Sequence, residues 1–408
     1  MLNALWIGFF LTAFGAAVMQ FLGGDQAIFA AVMKAAFDAA KIAFEVALGL
    51  TGVMCLWLGV MKIGERAGFL GLLGRWLAPL FVRLFPDVPR GHPALGSVTM
   101  NMAANILGLD NAATPIGLKA MRELHELNPD KETASNAQIL FLVLNASSVT
   151  LLPVTIFTYR AQLGAADPTD VFLPILIATF CSTMVGLVVC GLVQRLRLWD
   201  PVILAYLGGM TAVVAGLVVY FAGLERDAME RQSALLANCL IFSVIVVFLL
   251  LAARRRVNLY ESFVDGAKDG FQVAVGIIPY LVAMLVAIGV LRASGALDLL
   301  LDGVRWAAGG LGLDSRWVDG LPTALMKPLS GSGARGLMIE TMQTAGADSF
   351  AGRLVSVIQG STETTFYVLA VYFGSVGIRK TRHAVACGLA ADAAGVAAAV
   401  LVSYLFFG

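Results

Sequence analysis

Ionisable side chains are scarce in this chain. Of its 408 residues 13% are charged, 28 basic against 27 acidic, for a formal net charge of +1. No clustered basic domain is present to neutralise a run of phosphates, which excludes a nucleic-acid partner. Histidine is scarcer still: His92, His125 and His383 lie in or beside charged connecting segments and share no ligand spacing, so neither a zinc nor a haem site is expected. The five cysteines, Cys55, Cys181, Cys190, Cys239 and Cys387, are scattered, mostly within apolar runs, and form no Cys-x-x-Cys pair. They read as small buried apolar side chains. With no cofactor implied and no histidine or metal beside a nucleophile, the residues make a poor enzyme.

What the chain has in abundance is hydrocarbon. Apolar residues make up 59% of it, the mean hydropathy is +0.84, and several apolar stretches run 18 residues or more. These features predict an all-α, polytopic integral membrane protein with the lipid bilayer as its surroundings. Nine candidate spans fall at roughly 3–22, 40–63, 137–159, 171–194, 200–223, 234–253, 270–292, 353–376 and 383–407, each long enough to cross at about 1.5 Å per residue. Residues 1–21 lack a basic leader and read as a retained first span. With the N-terminus in the cytoplasm, Arg195 and Arg197, Arg254 to Arg256, and Arg379, Lys380 and Arg382 all fall on the cytoplasmic side. That bias predicts a bacterial inner (plasma) membrane protein with its C-terminus outside.

The sequence also repeats itself. A shift of 227 lays residues 41–73 on 268–300 with about ten identities, among them Lys41, Phe44, Val46, Ala47 and Gly49. A shift of 214 lays Asn145, Ser147, Ser148 and Thr150 on Gln359, Ser361, Thr362 and Thr364. Only Glu363 has no polar counterpart, its partner being Val149. Spans one to four thus match spans six to nine, and the fifth is left over. An odd crossing between two four-span units makes the second unit enter from the opposite face, the inverted-repeat plan of secondary transporters.

Two segments, 64–136 and 293–352, are too apolar for solvated loops and hold matching helical hairpins. In the first, over 97–127, Asn101 and Asn105 share one face of a short helix ending at Gly108. Asp110, Asn111 and Thr114 follow, and Thr114 is expected to cap a second helix opened by Pro115. In the second, over 322–344, Lys327, Ser330, Ser332 and Arg335 surround three glycines, with a helix start expected near Gly333. Irregular backbone at membrane depth is admissible only inside protein or along a cavity; the alternative places both segments on opposite surfaces. The polar patches 145–150 and 359–364, Gln359 and Glu363 included, are expected at the same cavity, because a lipid-facing carboxylate costs several kcal/mol. Asp392 in the last span is a second acid at that depth. Lys327 and Arg335 read either as a clamp for an anionic group or as snorkelling interface residues.

Residues 101–121 (NMAANILGLDNAATPIGLKAM) resemble the signature of the spore maturation A proteins, and residues 327–336 (KPLSGSGARG) with 359–374 (QGSTETTFYVLAVYFG) resemble the spore maturation B proteins. The chain is similar to the two fused head to tail. The resemblance implies two Gate (nucleoside recognition) repeats at 1–199 and 231–408, joined by a linking span over 200–230. Members of that group move nucleosides, iron or dipicolinate. The expectation is a non-enzymatic permease, a possible homo-oligomer, moving a small anionic or zwitterionic solute by alternating access at a midplane site. A proton or cation coupled to Glu363 completes it. Its rivals are a metal-ion permease and a non-transporting scaffold or sensor of envelope or spore maturation.

Overall fold

The computed structural model describes residues 2–147 and 150–408, without the side chains of Leu2, 110–112 and Asp227. The described residues contain no strand, only one isolated parallel bridge between Thr133 and Lys380. The first half comprises α1 (Leu2–Leu22), α2 (Ile28–Arg66), α3 (Phe69–Leu84), α4 (Pro93–Ile106), α5 (Asp110–Glu126), α6 (Asn136–Ser147), α7 (Val154–Gln162) and α8 (Phe172–Gln194). After α9 (Pro201–Ala222) the same series returns as α10 (Arg226–Arg254), α11 (Leu259–Ala293), α12 (Ala296–Gly310), α13 (Leu321–Met326), α14 (Gly331–Ala345), α15 (Phe350–Ser361), α16 (Thr365–Gly374) and α17 (Ala384–Phe407). A short 3-10 turn over Arg316–Gly320 precedes α13.

Among the described residues seven helices, α1, α2, α8, α9, α10, α11 and α17, are long and apolar enough to cross a membrane. The remaining two crossings read from the sequence, 137–159 and 353–376, are not continuous helices. Each breaks at its polar patch, α6 giving way to α7 and α15 to α16. Large apolar side chains on α1, α9 and α10, such as Leu11, Phe14, Val213 and Phe242, stay exposed and form the lipid-facing surface. Cys239 belongs to that surface too, contrary to its expected burial, whereas Cys190 and Cys387 are buried.

Contacts between matched elements fix their directions. The most extensive pairing is α2 with α11, where Ala39 meets Gly289, Met54 meets Gly270 and Leu58 meets Gly266, so the helices run antiparallel. A Cβ at Gly266 would lie 2.3 Å from the Leu58 carbonyl oxygen, so the approach is backbone to backbone. The pair α8 and α17 is antiparallel as well: Ser182 Oγ donates to Ala391 O, and Gln194 Nε2 meets His383 Nε2 at 3.0 Å. Helix α1 packs on α11 and α10 on α2, each reaching across to the other repeat. Reciprocal exchange of this kind is what a two-fold axis in the membrane plane produces.

Two faces result. The first carries the end of α2, α3, the start of α6, the ends of α8 and α16, and the start of α17. There Arg66 pairs with Asp265 at 2.8 Å, Tyr206 donates to Trp76 O, and the Arg379 and Lys380 amides donate to Glu132 O. The turn before α6 is fastened by Asp130, whose carboxyl lies below its ordinary range because Thr133 and the Glu132 amide donate to it. The second face carries the ends of α1, α7, α11 and α17 and the start of α15. Arg160, fully buried at the end of α7, donates to Ala347 O and pairs with Asp170 and Asp348, while Arg353 pairs with Asp170.

Candidate functional site

Four helix breaks converge between these faces. Helices α4 and α5 form a hairpin that enters from the first face and turns at Gly108, which has φ +70°. Helices α13 and α14 form its counterpart from the second face and turn over 327–330. Each broken helix ends with carbonyls that have no partner in their own helix. Amides at the breaks supply the missing donors: Leu151 N–H donates to Ile106 O of the first tip at 2.7 Å, Phe366 N–H to Pro328 O of the second tip at 3.0 Å, and Glu363 N–H to Ala146 O across from one break to the other at 2.7 Å. Thr183 Oγ1 completes the set by donating to Ser147 O at 3.2 Å. The irregular backbone is therefore held by protein, as membrane depth requires.

A cavity of about 90 Å³ lies at the junction, lined by Gly108 and Thr150 of the first repeat and by Lys327, Arg335, Gln359 and Glu363 of the second. It adjoins a second one of about 90 Å³ that reaches Met54 and Trp57 of α2 and Val273 and Ile277 of α11. Gly108, Val154, Thr155, Tyr159 and Arg335 border both. Helices α5, α7 and α14 all start at this junction, and their N-terminal dipole ends add to the two cationic side chains in favouring negative charge. Lys327 is 2% exposed, which overturns the interface reading of that residue. The expected meeting of the two hairpins and two patches is the arrangement found.

The individual side chains divide into three groups. Thr150, Lys327, Arg335, Gln359, Thr362 and Glu363 line the cavity. Behind them stands a polar wall: Asn105 Nδ2 donates to Asn145 Oδ1 at 2.8 Å, Tyr372 OH donates to the same oxygen at 3.2 Å, and Asn101 Nδ2 donates to Ala113 O. Ser147, Ser361 and Thr364 are buried in this wall, Asp392 lies behind Thr362, and Ser330 caps α14 by accepting from the Gly333 amide. Outside the site are two. Ser332 lines a lateral groove with Trp6 and Tyr280, because α14 begins at Gly331 and the next position turns away from the tip. Thr114 is half-buried within α5 and caps nothing: the helix begins at Asp110, directly after the left-handed turn at Gly108. Pro115 is accommodated inside α5, giving up one internal hydrogen bond. Ser148 and the side chains of Asp110 and Asn111 lie outside the described residues.

Glu363 lines the cavity but is exposed, not enclosed. The carboxylate that is enclosed is Asp392, 2% exposed. Sequence reasoning missed Tyr159 and Tyr372. The Arg335 guanidinium lies 5.8 Å from the Tyr159 ring centroid, and Tyr372 stacks on Phe141 beside Asn145. A shift of 213 superposes the two tyrosines, one position from the shift that aligns the patches, so the repeat itself carried the signal.

Antiparallel matched helices, opposed hairpins and a polar junction between them define an inverted-repeat, multi-pass membrane protein. The profile of the nucleoside recognition (Gate) family matches residues 47–162 and 274–379, more than half of the chain, which belongs to that family. Both matched stretches run from the middle of the long helix, α2 or α11, through the hairpin to the second broken helix. Spore maturation protein B of Bacillus subtilis (strain 168) is 48% identical over 165 residues, covering 40% of this chain and 91% of that protein. Spore maturation protein A of the same organism is 39% identical over 189 residues, covering 46% of this chain and 93% of that protein. Each accounts for about half of the chain, as in a fusion. No solved structure matches.

Proposed function

We infer that the chain is a permease that moves a small anionic or zwitterionic solute by alternating access at the junction of its two repeats. The observation that carries this reading is the cavity itself, where Lys327 and Arg335 stand among helix N-termini and are balanced by Glu363 at its edge. Charged groups gathered at the meeting point of two opposed hairpins fit a site filled and emptied from either side. In this reading residues 1–199 and 231–408 are the two moving repeats and 200–230 the link. No catalytic step is invoked. The basic clusters at the ends of α8, α10 and α16 support a reading in which the first face is the cytoplasmic side of a bacterial inner membrane and the C-terminus lies outside. The family description, nucleoside recognition, makes nucleosides and nucleotides one solute class to test among others.

The rival scaffold reading draws on the Asn101, Asn105, Asn145 and Tyr372 wall, which is satisfied internally. Against it, Gln359 Oε1 and Thr364 Oγ1 are buried at the site with no partner, an uncommon and costly state in a sealed core. Thermal-shift screening of the purified protein against nucleosides, dicarboxylates, peptidoglycan fragments and divalent metals, followed by flux of the hit into proteoliposomes, tests the proposal. Arg335→Gln is expected to weaken the stabilising solute about tenfold or more, as loss of a charge-assisted hydrogen bond does. Stabilisation by no solute together with no flux would sink it; a divalent metal as the sole hit would favour the metal-ion reading.

A further inference from the structure

The Thr362 hydroxyl has more acceptors around it than it has hydrogens. Its Oγ1 stands 3.0 Å from Ala146 O, 3.3 Å from its neighbour's carbonyl at Glu363 and 2.5 Å from Asp392 Oδ1. Carbonyls and ionised carboxylates only accept, and a hydroxyl donates once. With Asp392 ionised, one of the two shorter contacts would set lone pair against lone pair. With Asp392 protonated, both have a hydrogen: the acid donates to Thr362 Oγ1, and Thr362 donates to Ala146 O. The other carboxyl oxygen, Oδ2, is buried and makes no close hydrogen bond, the nearby Thr365 hydroxyl being likewise buried without one; a neutral acid tolerates so thin a set of donors far better than an ionised one.

The surroundings point the same way. Helix α17 packs against α6, α8, α15 and α16. Of these α6, α8 and α16 contain no Asp, Glu, Lys, Arg or His, and α15 contributes only Arg353, near its far end. Helix α10 meets α17 through Arg226, at Phe407, and Cys190 and Cys387 face each other further along. Among the described residues the charged groups that reach Asp392 are Lys327 from the second hairpin and Glu363 from the break beside it, both cavity residues, with the Thr365 hydroxyl adjacent.

We propose that Asp392 is the proton-carrying residue of the permease, a role that rests on the transport reading above. Protonated in this conformation, it donates through Thr362 to the end of α6. When the proton leaves, the single Thr362 hydrogen turns to the carboxylate and the Ala146 carbonyl loses that donor, so the charge state of α17 is written into a contact between the two repeats. The coupling group thus lies one layer behind the cavity wall, and Glu363 at the edge serves the solute.

Infrared spectroscopy of the purified full-length protein at neutral pH tests this with no solute and no flux, so a failed solute screen and a failed proton assignment remain distinct results. The wild-type spectrum is expected to contain a protonated-carboxyl C=O band that Asp392→Asn removes and Glu363→Gln leaves in place. Thr362→Val is expected to move the band to higher frequency, because the acid loses its acceptor. Absence of the band, its survival in Asp392→Asn, its loss in Glu363→Gln, or an unmoved band in Thr362→Val each overturns the proposal. Should Asp392→Asn not fold, the Thr362→Val shift decides alone.

Discussion

At the scale of single residues the site depends on atoms that are missing as much as on atoms that are there. A Cβ at Gly108 would stand 2.6 Å from the Leu152 carbonyl oxygen, and the residue adopts φ +70°. The hairpin tip and the break after α6 therefore touch through backbone. Gly91 has φ +86° with nothing within 4 Å of the same position. Gly91→Ala should then cost only the backbone conformational penalty, about 1 to 2 kcal/mol, while Gly108→Ala adds displacement of the tip and a larger loss of thermal stability. Equal melting temperatures for the two variants would mean that the close approach is absent. Much of the site was legible at this scale, because glycines and polar side chains within apolar sequence have few places to go. The exposure of Glu363 was not legible: a carboxylate at the wet edge of a cavity and one sealed behind it look alike in a string of residues.

At the scale of elements, the breaks in 137–159 and 353–376 escaped a reading of hydropathy because half-helices on either side of a break are as apolar as one unbroken span. Pro153 was the available signal. It cannot donate a helical hydrogen bond, and α7 starts directly after it. The arginine at the far end of α7 also went unrecognised, since a connection between spans gives no hint of burial. Arg160 has no exposed side-chain surface and meets Asp348 from the second repeat and Asp170 before α8. Arg160→Ala leaves Asp348 without its partner, Asp170 with Arg353 alone and the Ala347 carbonyl without its donor, and is expected to destabilise by about 3 kcal/mol. The exposed Lys41 and Glu45 pair provides the contrast: Lys41→Ala should change stability by at most about 1 kcal/mol. Chemical denaturation in detergent separates the two, and similar small losses would show that the second-face cluster does not join the repeats.

At the scale of the whole molecule, the duplication made the inversion legible before any contact was known, because one unpaired crossing between equivalent units reverses the second. The structure expresses that reversal in the connection before each hairpin: residues 85–92 leave α3 at the first face, and residues 311–315 leave α12 at the second. Asp87 and Asp314 are exposed in these connections. Arg316 holds the Asp314 carboxyl down to about 2, so it stays charged and solvated through any labelling buffer, and an exposed pair of this kind contributes little to stability. Cysteine at either position, in a chain with Cys239 replaced, provides a sidedness reporter for a membrane-impermeant maleimide. With the basic clusters inside, Asp314→Cys should label in intact cells and Asp87→Cys only after permeabilisation. A swapped result would preserve the inversion and reverse the orientation. Labelling of both from the same side would place the repeats in parallel, leaving no geometry by which two hairpin tips entering from opposite faces could share one cavity.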